Sequence, residues 1–171
     1  VDSSAKQPTN STQTCHSIPA TYSCVSDFIS NPQSLIMNPF LQPFDTPFGS
    51  YPFDKISIAD FKEAFAYALA EKRAEADAII NSTEPPTFAN TILALELCGE
   101  KLELVCGAFF NLLHADSNDE LMNLSQEIMP ELTRLSTDIA LSEPLFGRIR
   151  TVWESDEKEK LSEEEKRLLY N

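Results

Sequence analysis

The sequence predicts an all-α fold of antiparallel helical hairpins preceded by an irregular Pro/Phe-rich strap. Three observations carry that expectation. Apolar residues recur at three- and four-residue intervals from Ser57 onward, a Ser or Thr stands at the head of each such run, and no stretch alternates as a half-buried strand would. At 171 residues, 42% of them hydrophobic, the chain is long enough for one domain with a substantial core.

Taken in order, residues 1–37 are rich in Ser, Thr, Asn, Gln and Pro and carry no sustained hydrophobic period, so they read as a disordered or loosely attached leader. From Asn38 to Ile56, in "NPFLQPFDTPFGSYPFDKI", Pro39, Pro43, Pro47 and Pro52 stiffen an extended strap. Phe40, Phe44, Phe48 and Phe53 are expected to be pinned in grooves between helices. A first helix starts at Ser57, capped with Asp60 at the third position. It buries Ile58, Phe61, Phe65, Ala68, Leu69, Ala76, Ile79 and Ile80, and ends near Asn81 ahead of "STEPP". Thr87 caps a second helix whose seam runs through Phe88, Ile92, Leu95, Cys98, Leu102, Val105, Phe109, Leu112 and Leu113 for about seven turns. Gly99 and Gly107 interrupt that seam and are expected to mark close helix contacts. The short connection between these two helices predicts an antiparallel hairpin.

Ser117, with Glu120, opens a third helix with the stripe Leu121, Leu124, Ile128, Leu132, Leu135 and Ile139, and Pro130 within it predicts a kink over 126–130. Ser142 caps a fourth, shorter helix carrying Leu145, Phe146, Ile149, Val152 and Trp153. The run "ESDEKEK" reads as a solvated turn, after which Ser162 and Glu165 form the capping box of a last helix. The chain opens on Val1 rather than methionine and stops soon after that box. These two ends predict a piece of a longer protein, truncated at its C-terminal end.

Chemistry is sparse. Thirteen basic residues against twenty-seven acidic ones give a formal charge of −14, which repels nucleic-acid phosphates and anionic membrane surfaces. No apolar run approaches the roughly 20 residues that a membrane-spanning helix needs. Cys15, Cys24, Cys98 and Cys106 lack C-x-x-C spacing and a histidine cluster, which argues against a zinc site among them. Cys98 and Cys106, eight residues apart on one expected helix, stand about 12 Å apart along its axis, too far for a disulfide. They read as buried thiols, whereas Cys15 and Cys24 can pair where the compartment is oxidising.

The two histidines are equally unpromising. His16 lies in the leader, and His114 sits at the C-terminal end of the second helix, where the dipole favours it. Asp116, Asn118 and Glu120 alternate as a calcium loop begins, yet Leu121 stands where that loop needs glycine, so a capped helix start is the better reading. There is no H-E-x-x-H, glycine-rich phosphate loop or G-x-S-x-G. No catalytic, cofactor-binding or metal-ligating residue is assigned.

Several words in the chain are nevertheless specific. "NPFLQPFDTPFGSYPFDKI", "PPTFANTILALELCGEKLELVCGAFFNLLHADSNDELMNLSQEIMPEL", "LFGRI" and "LSEEEKRLL" resemble the N-terminal segment of thimet-oligopeptidase-type zinc metallopeptidases. The nearest branch is the bacterial peptidyl-dipeptidase (dipeptidyl carboxypeptidase) and oligopeptidase A group, and the resemblance covers about Asn38 to Leu169. It implies a large, mostly helical enzyme with a deep substrate channel, one wall of which the N-terminal helices form. It also implies one zinc ion in the full-length protein, held by an H-E-x-x-H helix and a downstream glutamate in a C-terminal catalytic half absent from this chain. The implied substrates are short unfolded peptides, with dipeptides released from the C-terminus, in a cytoplasmic or a periplasmic setting. On this reading residues 1–37 are a leader and residues 38–171 an N-terminal helical domain, inactive alone and partnered by the missing half. An alternative is a stand-alone non-catalytic helical interaction module on the same scaffold. The first reading predicts exposed apolar side chains around Leu145, Phe146 and Trp153.

Overall fold

The computed structural model describes residues 38–170. The leader, with Cys15, Cys24 and His16, lies outside the described residues.

Among the described residues five helices carry the fold: α1 Ile58–Ile80, α2 Glu100–Ala115, α3 Asp119–Ala140, α4 Glu143–Glu154 and α5 Glu163–Tyr170. A π-helical turn, Phe88–Leu93, continues into a three-residue α turn, Ala94–Glu96, between α1 and α2, and a 3-10 turn, Asp156–Lys160, precedes α5. There is no strand among the described residues, so the all-α class holds.

The ends of these helices follow local chemistry. At α1 the Asp60 amide donates to Ser57 Oγ at 3.2 Å while the Ser57 amide donates to Asp60 Oδ2 at 2.7 Å, a reciprocal capping box. Thr87 and Asn90 repeat it at the π-helical turn, and Ser162 and Glu165 do so at α5. At α4 the Leu145 amide reaches Ser142 Oγ at 3.4 Å. The cap of α3 is Asn118, whose Oδ1 accepts from the Leu121 amide at 2.9 Å, rather than the expected Ser117. Both residue types cap well, and the helix phase one residue later selects the asparagine. Pro130 lies within α3 and does not end it.

The long second helix does not exist as one piece. Gly99 sits at φ 85°, ψ 25°, a left-handed conformation that a right-handed helix cannot pass through. Its amide donates to Glu75 Oε2 at 2.8 Å, and a Cβ there would lie 2.4 Å from the Lys72 side chain. The glycine therefore does mark a close contact, with α1, but by breaking the helix. A near-3.5-residue apolar spacing persists across the break because both segments bury onto the same neighbour, so the spacing alone conceals it. Cys98 and Cys106 thus belong to different segments, and both are free thiols. Gly107 marks the strap instead, since a Cβ would meet Tyr51 Oη at 2.7 Å.

Helix directions can be read from contacts. Phe61 and Phe65 meet Phe109 at ring separations of 5.4 and 5.3 Å, while Glu71 and Glu75 near the other end of α1 meet Lys101 and Gly99. As numbers rise on α1 they fall on α2, so this pair forms the expected antiparallel hairpin. By contrast Lys62 pairs with Glu127 and Arg73 with Asp138, both at 3.0 Å, so α1 and α3 run parallel.

The main core joins the strap, α1, α2 and α3 through Phe40, Phe61, Phe65, Val105, Phe109, Leu121, Leu124 and Ile128. Burying each such side chain contributes about 1.5–3 kcal/mol. A second cluster joins Ala76, Ile79, Cys98 and Leu145, and a third joins Phe88 and Ile92 to Val152 and Leu169. Through the second α4 packs on α1, and through the third α4 and α5 hang on the π-helical turn.

The strap is held at both ends, by Asn38 and Phe40 at its start and by Tyr51, Pro52 and Ile56 farther on, with an exposed turn between them. Asn38 Nδ2 donates to the Asp60 carbonyl at 3.0 Å and to Glu63 Oε2 at 3.1 Å, its Oδ1 accepts from the Phe40 amide, and Phe40 packs on Phe61 with centroids 5.0 Å apart. Phe44 is partly buried against the same core. Phe48 and Phe53, expected in grooves, are exposed. Phe48 occupies a left-handed conformation, φ 61° and ψ 17°, at the tip of the Pro47–Gly49 turn, where its side chain projects into solvent. The turn geometry overrides the apolar preference there.

Candidate functional site

Among the described residues no group of three or more His, Cys, Asp and Glu side chains is placed to hold a metal ion. They do not fit the zinc site that the resemblance implies for a whole peptidase, and no chemical step is derived through one. The residues with any claim to chemistry have structural occupations instead. His114 is in the last turn of α2, Asn118 is the cap of α3, and the Cys98 thiol donates to the Lys72 carbonyl at 3.5 Å. Burial pushes the Cys98 thiol pKa up, with Glu75 adding to the shift and Lys72 opposing it. Burial likewise raises the Cys106 thiol, against an opposing Lys72. Both thiols are therefore poor nucleophiles near neutrality.

Arg148, only 8% exposed, makes four hydrogen bonds. One terminal nitrogen donates to the Ser82 and Glu84 carbonyls at 2.9 and 3.2 Å; the other donates to Asn90 Oδ1 at 3.2 Å and Thr91 Oγ1 at 3.4 Å. Asn90 Oδ1 also accepts from the Thr87 amide and the Thr91 hydroxyl, and its Nδ2 donates to the Pro85 carbonyl. One planar guanidinium thus ties the loop after α1 and the π-helical turn to α4. Glu157 adds a second tie by accepting from the Phe88 amide at 2.9 Å. Apolar periodicity passes over Arg148, although its position, three residues after Leu145 and four before Val152, puts it on the inward face of α4.

Two apolar grooves flank α3. One, of about 580 Å³, lies between α1 and α3 over Phe65, Leu69, Leu124 and Ile128, and has the Lys62 and Arg73 ion pairs along it. The other, of about 570 Å³, is enclosed by α2, α3 and α4 and lined by Leu102, Cys106, Leu132, Ile139, Phe146 and Ile149. At the second groove α4 exposes Phe146 at 65%, and near its C-terminal end it exposes Trp153 at 43%, against which α5 sets Tyr170 edge-on, with centroids 5.0 Å apart and planes at 88°. Leu145, expected in this exposed set, is buried against Ala76 and Ile79. Its position on α4 aligns with Arg148 and Val152, which also turn inward.

No protein-family model matches the chain. Its sequence is 41% identical over 133 residues to dipeptidyl carboxypeptidase of Escherichia coli K12, a match covering 78% of this chain and 20% of that protein. It is 38% identical over 132 residues to dipeptidyl carboxypeptidase of Salmonella typhimurium, covering 77% and 19%. Organellar oligopeptidase A of Arabidopsis thaliana is more distant, 27% identical over 137 residues, covering 80% and 17%. The chain spans about a fifth of the length of the curated relatives it matches.

Proposed function

Given that the chain is homologous to one segment of the dipeptidyl carboxypeptidases and oligopeptidase A proteins, we propose that it is the N-terminal channel-wall domain of a zinc-dependent oligopeptidase. In that role it shapes the access of short peptides to a catalytic part it does not itself contain, and the complete enzyme releases dipeptides from peptide C-termini. The observation that carries this reading is the homology. It extends over most of the chain, so it includes the strap, the hairpin and α3 together rather than one local motif. The structure supports a wall role in a second way. Helices that bury one face in their own cores leave apolar grooves and aromatic side chains on another, as a domain does when it meets further protein.

The test has two arms. Continuing the coding sequence past Asn171 should reveal an in-frame H-E-x-x-H, and a stop codon at that point would favour a stand-alone helical module instead. The isolated chain should bind no stoichiometric zinc in a metal titration and hydrolyse no peptide. Either activity in this chain would refute the assignment of catalysis elsewhere.

A further inference from the structure

The turn between the two anchors of the strap combines exposure, backbone strain and weak closure. No side chain of residues 45–50 is buried, and Phe48 is more exposed than any other large apolar side chain among the described residues, with Leu141 next at 75%. Phe48 is also the one non-glycine residue with positive φ among them, so opening the turn relieves strain instead of adding it. Only short-range hydrogen bonds close it. The Gly49 amide donates to the Thr46 carbonyl at 3.1 Å, the Ser50 amide and hydroxyl donate to the Pro47 carbonyl at 3.3 and 3.1 Å, and the Thr46 hydroxyl donates to the Ser50 carbonyl. Water replaces each of these when the turn opens, and no core contact is lost, so the open form is cheap to reach.

An endopeptidase needs such an opening, because its cleft takes several substrate residues in extended form, and exposed loop tips that open locally are where folded proteins are nicked. The residues around Phe48 suit one class of cleft. A pocket for an aromatic ring accepts Phe48, Thr46 before it is already extended at φ −131° and ψ 151°, and Gly49 and Ser50 after it present neither bulk nor proline. The other aromatic residues of the strap are less available. Phe44 packs edge-on against Phe40 and Tyr51, Tyr51 is followed by proline, and Phe53 follows the buried Pro52. Leu141 stands between α3 and α4 and Phe146 lies within α4, so presenting either one unwinds a helix. We propose that the Phe48–Gly49 peptide bond is a specific cleavage site for an endopeptidase that selects aromatic side chains. In the hydrolysis the oxygen of a water molecule bonds to the Phe48 carbonyl carbon, the C–N bond breaks, and the Gly49 nitrogen takes a proton and leaves as an amine. The cut lies in no helix of the main core and between two anchored segments, so the helical body keeps its structure.

The experiment is limited digestion of the 171-residue chain with chymotrypsin in native buffer, with cut positions within residues 38–170 read by mass spectrometry at low conversion. The Phe48–Gly49 bond should be cut at least about tenfold faster than any other bond in that range, with the helical circular dichroism unchanged. Phe48→Asn should slow cutting after residue 48 at least about tenfold, while Phe48→Tyr, which keeps an aromatic ring, should stay within about threefold of the parent. In urea that unfolds the chain and leaves the protease active, the preference for this bond over Phe53 and Phe146 should disappear. A first cut at Phe53 or within a helix would overturn the proposal, as would a Phe48→Asn chain cut after residue 48 at the parent rate. Loss of the helical signal in step with the cut would show that the bond is reached by unfolding the body, and would overturn it too. The same preference in urea would assign the cut to residue identity alone and remove the turn from the explanation.

Discussion

Replacing Arg148 by Met is the most searching test of how α4 is held. Methionine fills comparable length and is a good helix former, so the change removes the guanidinium with little loss of packing. Four hydrogen bonds disappear, but their loss is unequal. Asn90 Oδ1 keeps the Thr87 amide and the Thr91 hydroxyl as donors, and the Thr91 hydroxyl keeps its own acceptor. The Ser82 and Glu84 carbonyls lose their guanidinium donor. An acceptor left buried and unpaired costs about 1–3 kcal/mol, or about 2–6 kcal/mol for two, but Ser82 is half-buried and Glu84 exposed, so water re-pairs them in part and the low end of that range applies. The variant no longer has to desolvate a guanidinium, which offsets a further part, so a net loss of about 2 kcal/mol is expected. With a urea m-value of about 2 kcal/mol/M, the midpoint should fall by about 1 M at unchanged slope. Urea unfolding followed by far-ultraviolet circular dichroism measures this directly. Arg148→Lys should recover only part of the loss, because an ammonium cannot span both pairs of acceptors. A midpoint shift below about 0.3 M for the methionine variant would show that the loop carbonyls do not depend on Arg148.

Gly99→Ala should cost about 1–2 kcal/mol, read as a urea midpoint shift, because it forces a left-handed alanine and displaces the Lys72 side chain. Phe48→Asn should stabilise by up to about 1 kcal/mol in the same assay, since asparagine tolerates the left-handed region and no packing is lost. Iodoacetamide at mildly alkaline pH should label Cys98 and Cys106 far more slowly in the native protein than in urea, as resolved by peptide mass spectrometry. Burial raises the folded pKa of both thiols above the ordinary thiol value, so the folded state keeps protons that the unfolded state releases. Their contribution to stability is therefore complete below the ordinary thiol pKa and is lost as pH rises through the raised one, and unfolding midpoints should decline across that alkaline window.

What is legible in the sequence is local. Ser57 with Asp60 and Ser162 with Glu165 cap helices through contacts three residues long, and such contacts can be read from spacing alone. The inward stripe of α3 is equally plain, because one face of one helix meets one core. The break at Gly99 is not, since what ends the helix there is an amide donated to Glu75, twenty-four residues away. Phe48 and Phe53 mislead for a related reason: their apolarity says that burial is favourable, not that a groove is within reach. On α4, Phe146 and Trp153 stand exposed as their sequence suggests, whereas Leu145 turns inward and Arg148 gives no apolar signal at all. Both departures arise because α4 has a polar-anchored inner face and an aromatic outer one, where the spacing suggests a single apolar face.

The parallel alignment of α1 and α3 carries a consequence for synthesis on the ribosome. Lys62 meets Glu127 and Arg73 meets Asp138, each across 65 residues of intervening chain. The antiparallel α1–α2 hairpin can close as soon as residue 115 is available, but the other side of α1, around Phe65 and Leu69, stays uncovered until α3 has been made. At about 5–20 residues per second, the 65-residue lag lasts roughly 3–13 s. During that interval the nascent chain displays an apolar helix face that the finished protein hides, and chaperone contact or premature association would concentrate there. The Lys62 and Arg73 sites along that face keep it charged while it waits.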